Sequence, residues 1–176
     1  DELEVIKTID RILDEHSDER GLILTSSIPR CQKILRYLSP KNTRRIRICH
    51  SKNKDGKTQD EVISEHASDP TGVLLSSSLW EGVDLKDDLS RFQIIAKVPY
   101  PNYKEKRIKA KMDKFPLWYT SQTLTKLLQG FGRSIRSEDD WARTYVLDTA
   151  ANNVFFKAQQ MIPKSYYDVL GIETMQ

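Results

Sequence analysis

The chain has 176 residues, with 28 Lys and Arg against 25 Asp and Glu, a net charge of +3 and two cysteines. This length suits one ordinary globular domain, and no run approaches the roughly 18 apolar residues that a membrane span requires. The net charge is too small to indicate a nucleic-acid partner, and the isolated Cys31 and Cys49 predict neither a zinc site nor a disulfide framework. We therefore expect one domain over residues 1–176 in an intracellular setting, cytoplasmic or nuclear, without membrane attachment.

Hydrophobic spacing divides the chain into alternating helices and strands. In chain order the predicted elements are helix Leu3–Leu13, strand Leu22–Ser26, helix Pro29–Leu38, strand Arg44–Cys49, helix Thr58–Ala67, strand Val73–Ser76, strand Phe92–Ala96, helix Lys104–Met112, helix Ser121–Leu128, strand Thr144–Asp148 and helix Asn152–Gln160. Strands separated by helices imply βαβ units. The sequence thus predicts an α/β domain whose mostly parallel sheet is flanked by helices on both faces, with ligands bound at the carboxyl ends of the strands.

The tripeptide Gly56-Lys57-Thr58 lies between a predicted strand and a predicted helix, which is the setting of a Walker A phosphate loop. The full pattern requires glycine at position 51, where this chain has Ser51, and long charged side chains occupy positions 52–55. Asp148, at the end of the last predicted strand, is the candidate Walker B carboxylate. An exposed basic loop that caps a helix is the competing interpretation, so a P-loop nucleotide-binding enzyme stays as an alternative function.

A first candidate site is the segment from Ser76 to Leu85, where a buried strand runs into a loop. Hydroxyls and N–H groups in such a loop can bind phosphate oxygens, and Gly82 allows a positive φ or a close backbone approach. Glu81 and Asp84 would orient an arginine, a water or a metal-bound group instead. A tight turn capped by Asp84 is the alternative interpretation.

The second candidate site is Gln129-Gly130-Phe131-Gly132-Arg133-Ser134-Ile135-Arg136. Arg133 and Arg136 are three residues apart, so a helix would project both guanidinium groups from one face, with Gln129 on the same face. An amide beside two bidentate cations suits a polyphosphate and the charge of its transition state. A surface salt-bridge cluster with the acids at 138–140 is the alternative interpretation.

These segments together resemble a known family. Gln129–Arg136 fits the pattern Q-x-x-G-R-x-x-R and resembles motif VI of superfamily 2 helicases, whereas Trp80–Asp84 resembles their motif V. Leu22–Ser27 is similar to motif IV, and the whole order, including Val98-Pro99-Tyr100, most resembles the XPD/DinG branch. The resemblance implies the second of two RecA-like motor domains of an ATP-dependent 5′→3′ DNA helicase. ATP and Mg²⁺ would bind in the cleft between the two domains.

The resemblance also implies roles for single residues at the ATP cleft. Arg136 would be the arginine finger that meets the γ-phosphate, Arg133 would share that task, and Gln129 would position the phosphates or the attacking water. The residues that would line the cleft and couple nucleotide state to DNA grip are Glu81, Gly82, Asp84 and Gly132.

Single-stranded DNA would run across the same domain. Short hydroxyls at strand ends leave room for a phosphate backbone, and aromatic rings can stack on bases. The candidates for phosphate contacts are Ser26, Ser27 and Ser78, and the candidates for stacking are Trp80, Tyr100 and Tyr103, for each of which packing in the core is the alternative. The run Lys104–Lys114 has six basic residues against two acids, and it serves a partner, the domain cleft or only solvent.

The sequence lacks a convincing Walker A motif, a DExH segment and a four-cysteine array. The resemblance therefore implies that the first motor domain lies elsewhere in the same polypeptide and that this chain alone does not hydrolyse ATP. An iron–sulfur cluster would belong to that first domain, and no metal site is expected on this chain, which we expect to be a monomer. A stand-alone nucleic-acid-binding module with the same fold is the remaining alternative.

Overall fold

The computed structural model describes residues 1–50, 55–83, 85–133 and 140–167. The strands are β1 (Gly21–Leu24), β2 (Ile46–Ile48), β3 (Val73–Ser76), β4 (Phe92–Ile95) and β5 (Arg143–Val146). The helices are α1 (Glu2–Glu15), α2 (Ile28–Tyr37), α3 (Pro40–Thr43), α4 (Gln59–Ser68), α5 (Lys106–Lys114), α6 (Pro116–Phe131) and α7 (Ala150–Lys157). Every predicted helix and strand is present, and the structure adds α3 and three 3₁₀ turns. Among the described residues, no helix is both long enough and apolar enough to cross a membrane.

The five strands are parallel and lie in the order β2-β3-β1-β4-β5. The central strand β1 pairs with β3 and β4, and its last residue, Leu24, lies opposite both Ser76 and Ile95. The three strands therefore end at the same level, and the loops that follow them share one edge of the sheet, which we call the carboxyl edge. This topology confirms the predicted α/β architecture.

Neighbouring residues of each strand point to opposite faces of the sheet and feed two separate cores. Ile23 packs in the core under α1 and α2, whereas Leu22 and Leu24 pack in the core that contains residues of α6 and α7. Strands β1, β3 and β4 are buried at every position, while the edge strand β2 is half-buried. Helices on both faces thus explain why the central strands appear in the sequence as continuous apolar runs.

A buried arginine fixes the end of α1 to the sheet. Arg45 is 8% exposed, and its guanidinium donates only to backbone carbonyls in the contacts that the structure records. These are the carbonyls of Leu13 at 2.6 Å, His16 at 2.7 Å, Thr71 at 2.9 Å and Glu19 at 3.0 Å. At the other end of α1, Glu2 pairs with Arg30 and Lys33 of α2. The helix is therefore held at both ends.

Candidate functional site

One buried hydroxyl organises the loop after β3. Ser76 Oγ accepts hydrogen bonds from the N–H groups of Ser78 at 3.0 Å and Leu79 at 3.1 Å, and it donates to the carbonyl oxygen of Cys49. Ser76 is fully buried, whereas Ser78 is exposed. The serine at the strand end therefore folds the chain into a tight turn and leaves Ser78 on the surface of the carboxyl edge.

The same loop turns again at Gly82. Its φ of +82° lies in the left-handed region, where glycine is favoured. A Cβ there would meet no atom within 4 Å, so the backbone conformation rather than lack of space explains the glycine. Of the two uses predicted for Gly82, the positive φ is the one found. Glu81 is exposed beside it and Asp84 lies outside the described residues, so the coupling roles of these three residues stay predictions.

Trp80 lies inside the protein, between this loop and helix α6. It is 3% exposed, and its indole Nε1 donates to the carbonyl oxygen of Thr25 at 3.1 Å. A Cβ at Gly130 of α6 would lie 2.9 Å from two ring carbons of Trp80, so the helix can approach the ring this closely only at a glycine. Because the indole is buried, we correct the expectation that Trp80 stacks on a base. Its role in this structure is to pack the first candidate site against the second.

Helix α6 ends inside the second candidate site. Its last residue is Phe131 and Gly132 caps it with φ of −75°, while Arg133 follows with its N–H donating to the carbonyl of Gly130 at 3.1 Å. Gln129 thus lies on the last turn of α6, whereas Arg133 lies beyond the helix, where its carbonyl accepts the N–H of Leu85 from another loop. Gln129 is exposed on the last turn, and Arg136 lies outside the described residues.

Arg133 joins the two candidate sites. Its Nη1 donates to the carbonyl oxygen of Val83 at 2.6 Å, and its Nε donates to that of Gln129 at 3.1 Å. The N–H of Leu85 donates to the carbonyl of Arg133 at 3.2 Å. Segments that lie 50 residues apart in the sequence thus form one continuous site. The predicted contact of Arg133 with phosphate stays a prediction.

A groove of about 450 Å³ lies beside this junction. Polar groups of Gln129 and Arg133 line one part of it, together with Gly132, and apolar side chains such as Leu128 and Met161 line another. This volume is within the range of small-molecule sites in proteins. The groove thus combines an amide and a cationic side chain with an apolar wall, although the Nε and Nη1 groups of Arg133 already donate to backbone carbonyls.

The described residues hold no group of three or more His, Cys, Asp or Glu side chains placed to bind a metal ion. Burial raises the pKa of both the Cys31 and the Cys49 thiol to about 11. Both thiols are therefore protonated at neutral pH, whereas the thiolate is the form that binds metals. The described lining residues of the groove include no His, Cys, Asp or Glu, so they offer no such ligand to a metal ion, whereas they do include the amide of Gln129 and the guanidinium of Arg133.

Three hydroxyls predicted to contact DNA share the carboxyl edge. Ser26 is exposed and Ser27 partly exposed after β1, and Ser78 is exposed after β3. The N–H of Thr25 donates to the carbonyl of Ser76 at 3.0 Å, so the two loops leave adjacent strands side by side. This placement meets the steric requirement for phosphate contacts, and DNA binding by these serines stays a prediction.

The carboxylate of Asp148 is held by contacts with the loops that follow β4 and β5. Its Oδ2 lies 2.9 Å from Lys97 Nζ, and the N–H groups of Val98 and Ala150 donate to it at 3.0 and 3.2 Å. Burial alone would raise the pKa of Asp148, but the hydrogen bonds from Lys97 and the two N–H groups outweigh it and lower the pKa. Asp148 thus fixes the loops after β4 and β5, which argues against a Walker B role.

The structure also disfavours the P-loop interpretation. Thr58 is the N-cap of α4 in a capping box, in which its Oγ1 accepts the N–H of Glu61 at 3.2 Å and its own N–H donates to the Glu61 carboxylate at 2.7 Å. Lys57 Nζ pairs with the carboxylate of Glu65 on the exposed side of α4. The two side chains that a P-loop directs at phosphate and Mg²⁺ are therefore occupied at a helix surface.

Sequence reasoning missed two residues that hold the site together. Thr25 contributes its backbone N–H to β3 and its carbonyl to Trp80, and a backbone role leaves no trace in the sequence. Gly130 did leave a signal, since glycine in a helix interior costs about 1 kcal/mol relative to alanine and is usually there for packing.

Comparison with known proteins gives a family and a fold. The profile of the family described as helicase C-terminal domain matches residues 9–167. Among solved structures, Xpd4 of S. tokodaii is similar with a TM-score of 0.64 at 16% identity, covering 92% of this chain and 32% of that chain. A second structure, titled XPD helicase, has a TM-score of 0.63 at 17% identity and covers 89% of this chain and 30% of that chain.

A third similar structure is that of an isolated domain. The C-terminal domain of the DEAD-box protein Dbp5 has a TM-score of 0.60 at 10% identity, with 90% of this chain and 78% of that chain covered. At these identities the likeness establishes the fold, which agrees with the predicted RecA-like sheet. The chain spans about a third of the length of the two XPD-type chains that it matches.

Proposed function

Because the chain belongs to the helicase C-terminal domain family, we propose that it is the second motor domain of an ATP-dependent 5′→3′ DNA helicase of the XPD/DinG type. In this proposal the chain is part of a longer polypeptide whose first motor domain faces the groove beside Gln129 and Arg133. The whole enzyme acts as a monomer on single-stranded DNA.

The contact of Arg133 with the carbonyl of Val83 is the observation that carries this proposal. A group that binds phosphate at Arg133 would act directly on the loop after β3. That loop reaches the DNA-facing edge through Trp80, whose indole holds the carbonyl of Thr25 next to Ser26. A continuous chain of contacts therefore supports coupling between nucleotide state and grip on DNA.

The ATP site would be shared between the two motor domains. Gln129 and Arg133 would bind phosphate oxygens, and Arg136 would act as the arginine finger at the γ-phosphate, where Arg is suited by its fixed charge and bidentate fork. When bound, ATP with Mg²⁺ supplies the phosphoryl group that is transferred to water. The Walker A lysine and the Mg²⁺ ligands would come from the first domain, so this chain alone would not hydrolyse ATP.

Arg136→Ala in the full-length protein tests the proposal. We expect ATP turnover to fall by about 10³- to 10⁵-fold, the range known for loss of an arginine finger, while ATP affinity falls less. Arg36→Ala, at an exposed position of α2, is the matched control and should retain turnover. Retained turnover in Arg136→Ala would refute the arginine-finger assignment. Hydrolysis of ATP by the purified 176-residue chain would refute the two-domain site and favour the P-loop alternative.

A further inference from the structure

Helix α5 presents positive charge that the fold does not neutralise. Its nine residues include five Lys or Arg and a single acid, Asp113, and none of the nine is buried. Among the described residues, no acid forms an ion pair with any of these five cations. Exposed lysines elsewhere do form such pairs, as Lys7 does with Glu4 and Lys41 does with Asp14. The helix is therefore built to face a negatively charged partner or bulk solvent.

Exposed aromatic rings flank this helix at both ends. Tyr103 is 61% exposed before α5 and Phe115 is 53% exposed after it. Lys111 Nζ lies 4.9 Å from the ring centroid of Trp118, and Lys114 Nζ lies 5.5 Å from that of Phe115. A run of exposed cations is thus bordered by exposed rings at both ends. Cations combined with exposed rings are typical of proteins that hold a phosphate backbone and stack its bases.

The surface begins at the carboxyl edge of the sheet. The loop after β4 passes through Tyr100, whose ring stacks on that of Tyr119 in α6 with the centroids 5.6 Å apart. The hydroxyl of Tyr119 donates to the carbonyl of Pro101 at 2.8 Å. These contacts fix the start of the α5–α6 hairpin to the edge that also carries Ser26 and Ser78. A single strand of nucleic acid that crosses this edge can therefore continue along α5.

We propose that α5 and its flanking aromatics form an accessory site for single-stranded nucleic acid, with phosphates on the helix cations and bases on Tyr103 and Phe115. The inference rests on the proposed function, since a helicase motor domain presents a single strand at this edge. The exposed rings favour a single strand over an acidic protein, because unpaired bases offer faces for stacking. They favour it over a duplex for the same reason, since base pairs hide those faces.

Binding of a fluorescent oligothymidine to the purified chain, measured without nucleotide across a salt series, tests the site. One triple variant removes three charges from α5 with helix-favouring side chains: Arg107→Gln, Lys109→Gln and Lys111→Gln. Its matched control removes three charges from exposed positions outside α5: Arg36→Gln, Lys157→Gln and Lys164→Gln. Each phosphate contact makes the slope of log K against log salt more negative by about 0.7, so the α5 variant should make the slope shallower by about 2 while the control leaves it unchanged.

Stacking is tested separately at Tyr103. Tyr103→Ala should weaken binding by about 5- to 150-fold, the range that corresponds to the loss of one stacked base. Tyr103→Phe retains the ring and should bind as the unsubstituted chain does. Circular dichroism of each variant establishes that the helix content is unchanged.

Several outcomes would overturn this inference. Equal losses of affinity in the α5 variant and its control would mean that binding depends on net charge alone. Polyglutamate could compete as strongly as unlabelled oligothymidine, with no effect of Tyr103→Ala on affinity. That result would mean that the surface binds acidic proteins. Absence of salt-dependent binding by the unsubstituted chain would remove the site altogether. The motor-domain proposal is judged independently, by turnover of the full-length Arg136→Ala enzyme.

Discussion

Replacing Ser76 with alanine should destabilise the domain far more than its size suggests. The substitution removes the acceptor for the N–H groups of Ser78 and Leu79 and the donor to the carbonyl of Cys49. At about 0.5–1.5 kcal/mol for each hydrogen bond, three such bonds amount to about 1.5–4.5 kcal/mol. Leu79 is 1% exposed, so water cannot replace its lost partner. We therefore expect the free energy of unfolding to fall by about 2–4 kcal/mol.

Urea denaturation of the purified chain measures this change. Ser78→Ala is the matched control, because it is the same chemical change two residues away at an exposed position, and it should alter the free energy of unfolding by less than about 0.5 kcal/mol. The melting temperature of Ser76→Ala should fall by about 2–4 °C for each kcal/mol lost in a domain of this size. Equal effects of the two variants would refute the claim that the buried hydroxyl organises the loop.

Three further predictions concern Gly130, His66 and Lys57. Gly130→Ala places a Cβ 2.9 Å from the Trp80 ring, so overpacking should lower the free energy of unfolding by about 1–3 kcal/mol, offset by about 1 kcal/mol of helix propensity. The control Gly132→Ala places its Cβ 3.6 Å from the nearest atom and should leave the free energy of unfolding, measured by urea denaturation, unchanged. An equal loss in both would contradict the packing argument. Burial lowers the pKa of His66, so its neutral form stabilises the fold above the unfolded-state pKa of about 6.5, and this stability is lost as pH falls toward the lower folded-state pKa. The free energy of unfolding, measured across pH, should fall less steeply toward acid pH in His66→Gln than in the unsubstituted chain. An unchanged slope would contradict the role of neutral His66. Lys57→Ala should leave ATP turnover of the full-length enzyme intact. A loss of turnover in this variant would support the P-loop alternative instead.

The strands were predictable because their burial follows from local composition. Val73–Ser76 and Phe92–Ile95 are mainly apolar and buried at every position, as is typical of strands covered by helices on both sides. Their spatial order was not predictable, since the placement of β1 between β3 and β4 depends on pairings far apart in sequence. Helix α6 begins at Pro116, earlier than the predicted start at Ser121. The early start was missed because a proline in a sequence looks like a helix break, although proline suits the first helical position.

The candidate site was predictable in its parts and not in its connections. The pattern Q-x-x-G-R-x-x-R over Gln129–Arg136 drew attention to the second segment, and the positive φ of Gly82 was among the uses predicted for it. The bond from Arg133 to Val83 was not predictable, because no local pattern links residues 50 positions apart. Base stacking and core packing could not be distinguished for Trp80, since an aromatic residue in a loop looks the same in sequence whether a base or a glycine of a neighbouring helix covers it.

The contacts at both ends of helix α1 join it to the rest of the domain. Glu2 pairs with Arg30 and Lys33 of α2 at one end, and Arg45 donates to the carbonyls of Leu13 and His16 at the other. Because both ends are held, α1 cannot shift relative to the sheet without breaking a buried hydrogen bond or an ion pair.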